Sequence, residues 1–193
     1  MCTPVGIDDW TSNEPVTRRS EATTLTASRI FKGLAPLRSD MEVAGIYARE
    51  AAYLERAVQI GVASGRVISV SFPTQPDDDA TADHPLLDRV FEYLDGVSDI
   101  AFDDVAVALT VPTDQRAVLE QVRTIPYGES IDVAGLAAMT PDVDPEDDDD
   151  LILVRTALEA NPAPLLIPDH RVRDGPSAAP PAVEQRLRSL EGL

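Results

Sequence analysis

Asp169 and His170 are neighbours in the chain, and an aspartate beside a histidine can orient the ring or favour its charged form. Asn161 precedes them and Glu191 follows them. Three chemistries fit this set. Asp169 and His170 could act as a hydrolytic pair. Asp169, His170 and Glu191 could bind a metal, but three scattered ligands of mixed type are a weak set, and neither a metal nor any other cofactor is expected. The third option, a hydrogen-bonded structural turn, is the one favoured here. The only cysteine, Cys2, is no candidate nucleophile, because nothing near it in the chain would produce a thiolate. His84 precedes Pro85 at a helix start and is expected at the surface.

These residues must be positioned by the elements around them. Residues 41–111 read as a small α/β domain. Gln59 to Phe72 alternates apolar and polar residues on both sides of Ala63-Ser64-Gly65-Arg66, which predicts a β-hairpin. Pro73 to Asp83 reads as an acidic surface loop. From His84 to Gly96 the spacing of Leu86, Leu87, Val90, Phe91 and Leu94 predicts a helix, with Pro85 in its first turn. Phe102 to Val111 alternates weakly and is expected to form a strand.

Residues 112–193 read as helical. Thr113 or Asp114 is expected to cap a helix through Thr124, with Ala117, Val118, Val122 and Ile125 inward. Ile125 to Ser130 is a turn. A short helix follows, burying Val133, Leu136 and Ala137. Asp142 to Asp150 reads as an acidic linker before a helix over about 150–160, which Asn161-Pro162 stops. Leu165 to Ile167 is a short buried run. Pro180 or Pro181 starts a last helix facing inward through Val183, Leu187 and Leu190. Two short helices around a turn-rich linker are compatible with a helix-turn-helix.

Three segments carry a family resemblance. Ile125-Pro126-Tyr127-Gly128-Glu129, the run from Asn161-Pro162 to Pro168-Asp169-His170-Arg171, and Glu191-Gly192 stand in the order and spacing of the O6-alkylguanine-DNA alkyltransferases. The resemblance covers about residues 41–193 and is strongest over 114–172. It implies an α/β N-terminal ribonuclease-H-like domain and an all-α, winged-helix-like C-terminal domain with a helix-turn-helix. In that family the fold binds the DNA minor groove and flips the damaged guanine out. A cysteine then takes the alkyl group, with a histidine beside it and a closing glutamate behind.

His170, Asn161 and Glu191 match the family's positions, but Asp169 stands where the cysteine belongs. A carboxylate attacks a guanine ether poorly, so no intact catalytic residue set is expected. The family's base-displacing arginine corresponds to Ile152, with Arg155 about three-quarters of a turn away. Its phosphate-rotating tyrosine corresponds to Val133, and its pocket loop to a shorter Gly175–Pro181. The resemblance therefore implies a relative of the cysteine-less alkyltransferase-like proteins. Such a protein would bind or sense O6-alkylguanine in double-stranded DNA without alkyl transfer, and would signal to excision-repair proteins. Expected DNA contacts are Arg155, Arg171, Ile152, Tyr127 and Gly128. The alternative is a degenerate paralogue that serves as a protein-interaction or structural module.

Composition bounds these readings. The chain has 193 residues, 44% hydrophobic, enough for a packed core. The net charge is −18, which in ordinary salt opposes binding to phosphates. Cells that keep molar internal salt carry acidic proteins, and at ~1 M salt the Debye length falls to ~3 Å. We read the acidity as halophilic, so it does not exclude DNA. No apolar run reaches membrane-spanning length and no signal peptide stands at the start. A cytoplasmic, monomeric protein with no membrane partner is expected. Residues 1–40 balance five basic against five acidic residues. They read as a disordered extension, or as a mis-called start with Met41 as the initiator.

Overall fold

The computed structural model describes residues 44–97 and 100–193; the expectations for residues 1–40, Cys2 and Met41 lie outside the described residues. Three strands open the fold: β1 (Gly45–Ala51), β2 (Arg56–Ala63) and β3 (Arg66–Ser71). They form one antiparallel sheet in the order β1-β2-β3. The predicted hairpin is β2–β3. Ser64 and Gly65 both take positive φ, 51° and 69°, as a two-residue turn between right-twisted strands requires. Gly61 pairs with Ser69 and Val62 with Val67, so Ile68 is an extra residue in β3. This bulge changes the strand's parity. Val67 and Val70 both turn inward, and Ile68 is left exposed.

Both edges of the sheet are covered. Thr81 bonds to the backbone of Ile46 and Ala48 on β1. On β3, Val67 exchanges bonds with Ala106 and Ala108, and Val70 N donates to Pro162 O. That last bond ties the sheet to the Asn161-Pro162 segment.

Phe102 to Val111 is not the expected strand. It makes a single bridge, Val67 to Val107. The reason is competition for its carbonyls: Arg123 Nη2 takes the oxygens of Phe102, Asp103 and Val105, which a ladder would need. His84 is also corrected. It is only 1% exposed and caps α1 (Pro85–Leu94), its Nδ1 accepting from Leu86 N at 3.1 Å. Its ring packs on Tyr47, 4.4 Å between centroids. Tyr93 is buried on α1 while Phe91 is only half-buried.

Four helices make up the rest. α2 (Thr113–Val122) buries Val118, Leu119 and Val122. Neither Thr113 nor Asp114 caps it; Pro112 holds that place without a side-chain bond. α3 (Val133–Met139) buries Val133, Leu136 and Ala137 as predicted, and Asp132 caps it through Gly135 N. α4 (Asp148–Glu159) starts before the expected Asp150 because Asp147 caps it, accepting from Asp149 N at 2.8 Å. The last part of the acidic linker is thus helix, with Asp148, Asp149 and Asp150 at the positive end of the dipole. A 3-10 turn, Asp169–Arg171, follows, and α5 (Pro181–Glu191) ends on Gly192 with φ 75°. This half is not wholly helical: β4 (Ile131–Asp132) and β5 (Val172–Arg173) form a small parallel pair. One buried apolar cluster runs from the sheet through α1 to the helices. Among the described residues, no helix is long and apolar enough to cross a membrane.

Candidate functional site

Asn161 ends the α4 segment and turns the chain inward. Its Oδ1 accepts from Ala163 N at 3.0 Å and its Nδ2 donates to Ile167 O at 3.0 Å. The apolar run between them, Ala163 to Ile167, is buried. Within it Leu165 is held at φ 85°. Such strain in a non-glycine residue costs about 1–3 kcal/mol and survives only where the surroundings enforce it. Here the Ile167 N to Ala163 O bond closes the loop around Leu165. The result is a rigid shelf that delivers Pro168, Asp169 and His170 into the interior.

Asp169 is 1% exposed and both of its oxygens are engaged. Ser177 Oγ donates to Oδ1 at 2.9 Å. Asn161 Nδ2 and Ala178 N donate to Oδ2 at 2.9 and 3.0 Å. Burial pushes its carboxyl above the usual carboxylate range, against the pull of these three donors and of His170. Chemically this is a tether between the Asn161 shelf and the 175–180 loop. Gly175 seats that loop, since a Cβ there would come within 2.7 Å of Leu158.

His170 faces a second cluster, centred on Glu191. His170 Nε2 lies 3.0 Å from Glu191 Oε1. Arg171 donates to both carboxylate oxygens, Nη2 to Oε1 at 2.8 Å and Nε to Oε2 at 2.9 Å. Tyr93 Oη donates to Oε1 at 2.6 Å and Gly128 N to Oε2 at 3.2 Å. Burial opposes ionisation of Glu191, yet the bonds from His170, Arg171 and Tyr93 win and hold its carboxyl at about 2. Burial and the adjacent carboxylate push Tyr93 far up, so it stays protonated and donates. An ionised carboxylate only accepts, so His170 Nε2 carries a proton. His170 Nδ1 is buried with no partner among the described residues.

The predicted site residues thus fall into three groups. Asn161, Asp169, His170 and Glu191 come together as two linked clusters. Arg171, Tyr127 and Gly128, expected on DNA, make internal bonds: Arg171 to Glu191 and to Ile125 O at 2.6 Å, Tyr127 Oη to Leu190 O at 3.1 Å, and Gly128 as above. Ile152 and Arg155 lie apart, on the outer face of α4. Ile152 is 59% exposed, and Arg155 is exposed with only a long 3.5 Å approach to Leu151 O. Among the described residues no group of three His, Cys, Asp or Glu side chains could hold a metal. Sequence reasoning missed Tyr93 and Ser177. Tyr93 could have been found from its place on the apolar face of α1. Ser177 carried no signal.

Comparison with known proteins bears on the fold. No protein-family model and no curated protein matches the chain. Solved structures do. The O6-methylguanine methyltransferase of Mycobacterium tuberculosis aligns with a TM-score of 0.58 at 19% identity, over 78% of this chain and 92% of that one. The same organism's OGT, solved in complex with DNA, gives 0.57 at 20% identity over 77% and 91%. The O6-methylguanine-DNA methyltransferase of the archaeon Pyrococcus kodakaraensis gives 0.57 at 22% identity, over 78% of this chain and all of that one. At these identities the likeness is one of overall fold, an α/β architecture with a small sheet and helices.

Proposed function

We propose that this protein binds duplex DNA carrying O6-alkylguanine and does not take the alkyl group. One observation carries the second half: the residue in the nucleophile position, Asp169, has both oxygens committed to Asn161, Ser177 and Ala178. A buried carboxylate with three of its lone-pair sites taken by donors is poorly available to an incoming alkyl carbon, and it is a weak nucleophile towards an ether. The first half is supported by fold likeness to methyltransferases, one of them solved with DNA, and by the retained Asn161, His170 and Glu191. In this reading 41–111 is the ribonuclease-H-like domain and 112–193 the winged-helix-like DNA-binding domain. α3 and α4 form the helix-turn-helix, and Ile152 and Arg155 on α4 face the groove. The protein works as a monomer in the cytoplasm of a halophile and hands the lesion to excision-repair proteins.

A second reading, an interaction module without DNA binding, is favoured by the α4 start. Asp147, Asp148 and Asp149 are exposed there, and no carboxylate of 142–150 is ion-paired among the described residues. One experiment separates the two. Binding is measured to a duplex with one O6-methylguanine and to the unmodified duplex, in molar KCl, with intact-mass analysis of the protein afterwards. Damage-specific binding with unchanged mass is expected. Equal or absent binding to the two duplexes selects the second reading, and a mass gain of one methyl group overturns both.

A further inference from the structure

The nucleophile position is covered. Asp169 is buried, while Gly175 to Ala178 are half-buried and bond to it. The 175–180 loop therefore lies between the carboxylate and solvent. Gly175 is seated so closely that a Cβ would come within 2.7 Å of Leu158 Cδ1, 3.2 Å of Val133 Cγ2 and 3.5 Å of Val172 Cγ1. Those three side chains are themselves buried. Packing this close leaves no space for a purine between the loop and the residues under it.

The cover is held mainly by polar bonds. Of the residues from Pro176 to Ala179, only Ala179 is buried, so the loop gains little from apolar contact. Ser177 Oγ is used twice, donating to Asp169 Oδ1 at 2.9 Å and accepting from Ala179 N at 3.1 Å. Ala178 N donates to Asp169 Oδ2 at 3.0 Å. Two of these three bonds end on one side chain, and the third passes through the hydroxyl that holds it. Attachments that converge in this way are made and broken together. Local opening of a segment with few buried apolar contacts is also the low-energy kind.

We propose that the 175–180 loop is a strap latched shut by Asp169, and that a flipped O6-alkylguanine enters only after Ser177 and Ala178 have released that carboxylate. The inference rests on the DNA reading above and adds the regulation of its site. Pro176 and Pro180 fix φ at both ends of the strap. It moves as a stiff piece about Asp174–Gly175, where glycine frees the backbone. Asp169 then serves as the catch of a closed site rather than as a failed nucleophile. A protein whose competent state is only fractionally populated binds with an apparent Kd raised by the inverse of that fraction. Latching therefore weakens binding to the lesion in proportion to closure. Undamaged DNA, which puts no base in the site, does not sense it.

Ser177→Ala tests it, because it removes the Oδ1 bond and keeps the Ala178 N bond as a reporter. Hydrogen-exchange protection of the Ala178 amide, in the full chain without DNA, measures opening. Titration with the O6-methylguanine duplex and the unmodified duplex, in the same molar KCl, measures binding. In the variant, protection should fall about tenfold, as the loss of one buried hydrogen bond implies. Kd for the modified duplex should fall by the same factor, with the unmodified duplex unchanged. Gly175→Ala disturbs the seat through Leu158 instead of the carboxylate, and should move both readouts together as well. Circular dichroism confirms that each variant folds. Unchanged protection in Ser177→Ala overturns the latch. So does lost protection with unaltered affinity in a wild type that does discriminate the two duplexes. If no form of the protein discriminates them while protection falls as stated, the DNA reading fails and base entry with it, and the latch itself is upheld.

Discussion

Glu191 sets the acid limit of this protein. Its carboxyl is held at about 2 in the fold against an ordinary 4.5. A depressed carboxyl contributes stability that is complete above the unfolded value and is lost as pH falls through the folded one. About 2.5 pH units of depression correspond to roughly 3 kcal/mol for a buried group. That contribution should disappear between about pH 4.5 and pH 2. Asp169 acts with the opposite sign: its raised carboxyl costs stability at neutral pH and regains it as the pH falls. Urea denaturation across this range should show falling stability in the wild type. Glu191→Gln should be less stable by several kcal/mol at pH 7, because the Arg171 charge is left buried without its partner. Its stability should fall less steeply below pH 4.5. An unchanged slope would remove Glu191 from this role.

Elements were legible where a local rule decided them, and opaque where a distant partner did. Ser64-Gly65 announced the β2–β3 turn because its backbone demands positive φ. Val133, Leu136 and Ala137 announced α3 by their spacing. His84 did not announce its burial, because what covers it is Tyr47 on β1, far away in the chain. Phe102 to Val111 looked like a strand until Arg123, on another element, claimed its carbonyls. Asn161 and Asp169 were visible as a motif, but their contact with Ser177 was not, since a serine in a Pro-rich loop has no periodicity to betray it. Arg171 and Gly128 were visible too, but nothing local shows that both point to Glu191. The Asp169 tether between the shelf and the 175–180 loop is itself testable. Asp169→Ala leaves three donors unsatisfied and should cost about 2–4 kcal/mol in thermal or urea unfolding. Asp169→Asn keeps an oxygen for Asn161 and Ala178 and an amide for the Ser177 hydroxyl, and should cost less than half of that. Equal losses would show that the charge of Asp169 matters and its hydrogen bonds do not.

For the whole molecule, charge dominates. At −18 the folded state repels itself, and exposed carboxylates such as Asp147 to Asp149 make no ion pair among the described residues. Added salt screens this repulsion. The melting temperature should therefore climb by several degrees between 0.1 and 2 M KCl, because about 1 kcal/mol moves the midpoint of a domain this size by about 2–4 °C. A flat or falling profile in calorimetry would contradict the halophilic reading of the composition. The same salt that stabilises the fold weakens any phosphate contact, so the proposed DNA recognition would have to rest on shape and apolar residues, with Ile152 proposed among them.

The Glu191 cluster also has an order in time. Its donors come from Tyr93, Gly128, His170 and Arg171, all of which leave the ribosome before Glu191 does. Until α5 has been synthesised and has docked, the Arg171 guanidinium lacks its counter-ion and the 3-10 turn is held from the Asp169 side alone. The segment richest in chemistry is thus locked only after α5 has followed it out of the ribosome. A nascent chain whose α5 has not docked therefore carries Tyr93, Gly128, His170 and Arg171 without the carboxylate that joins them.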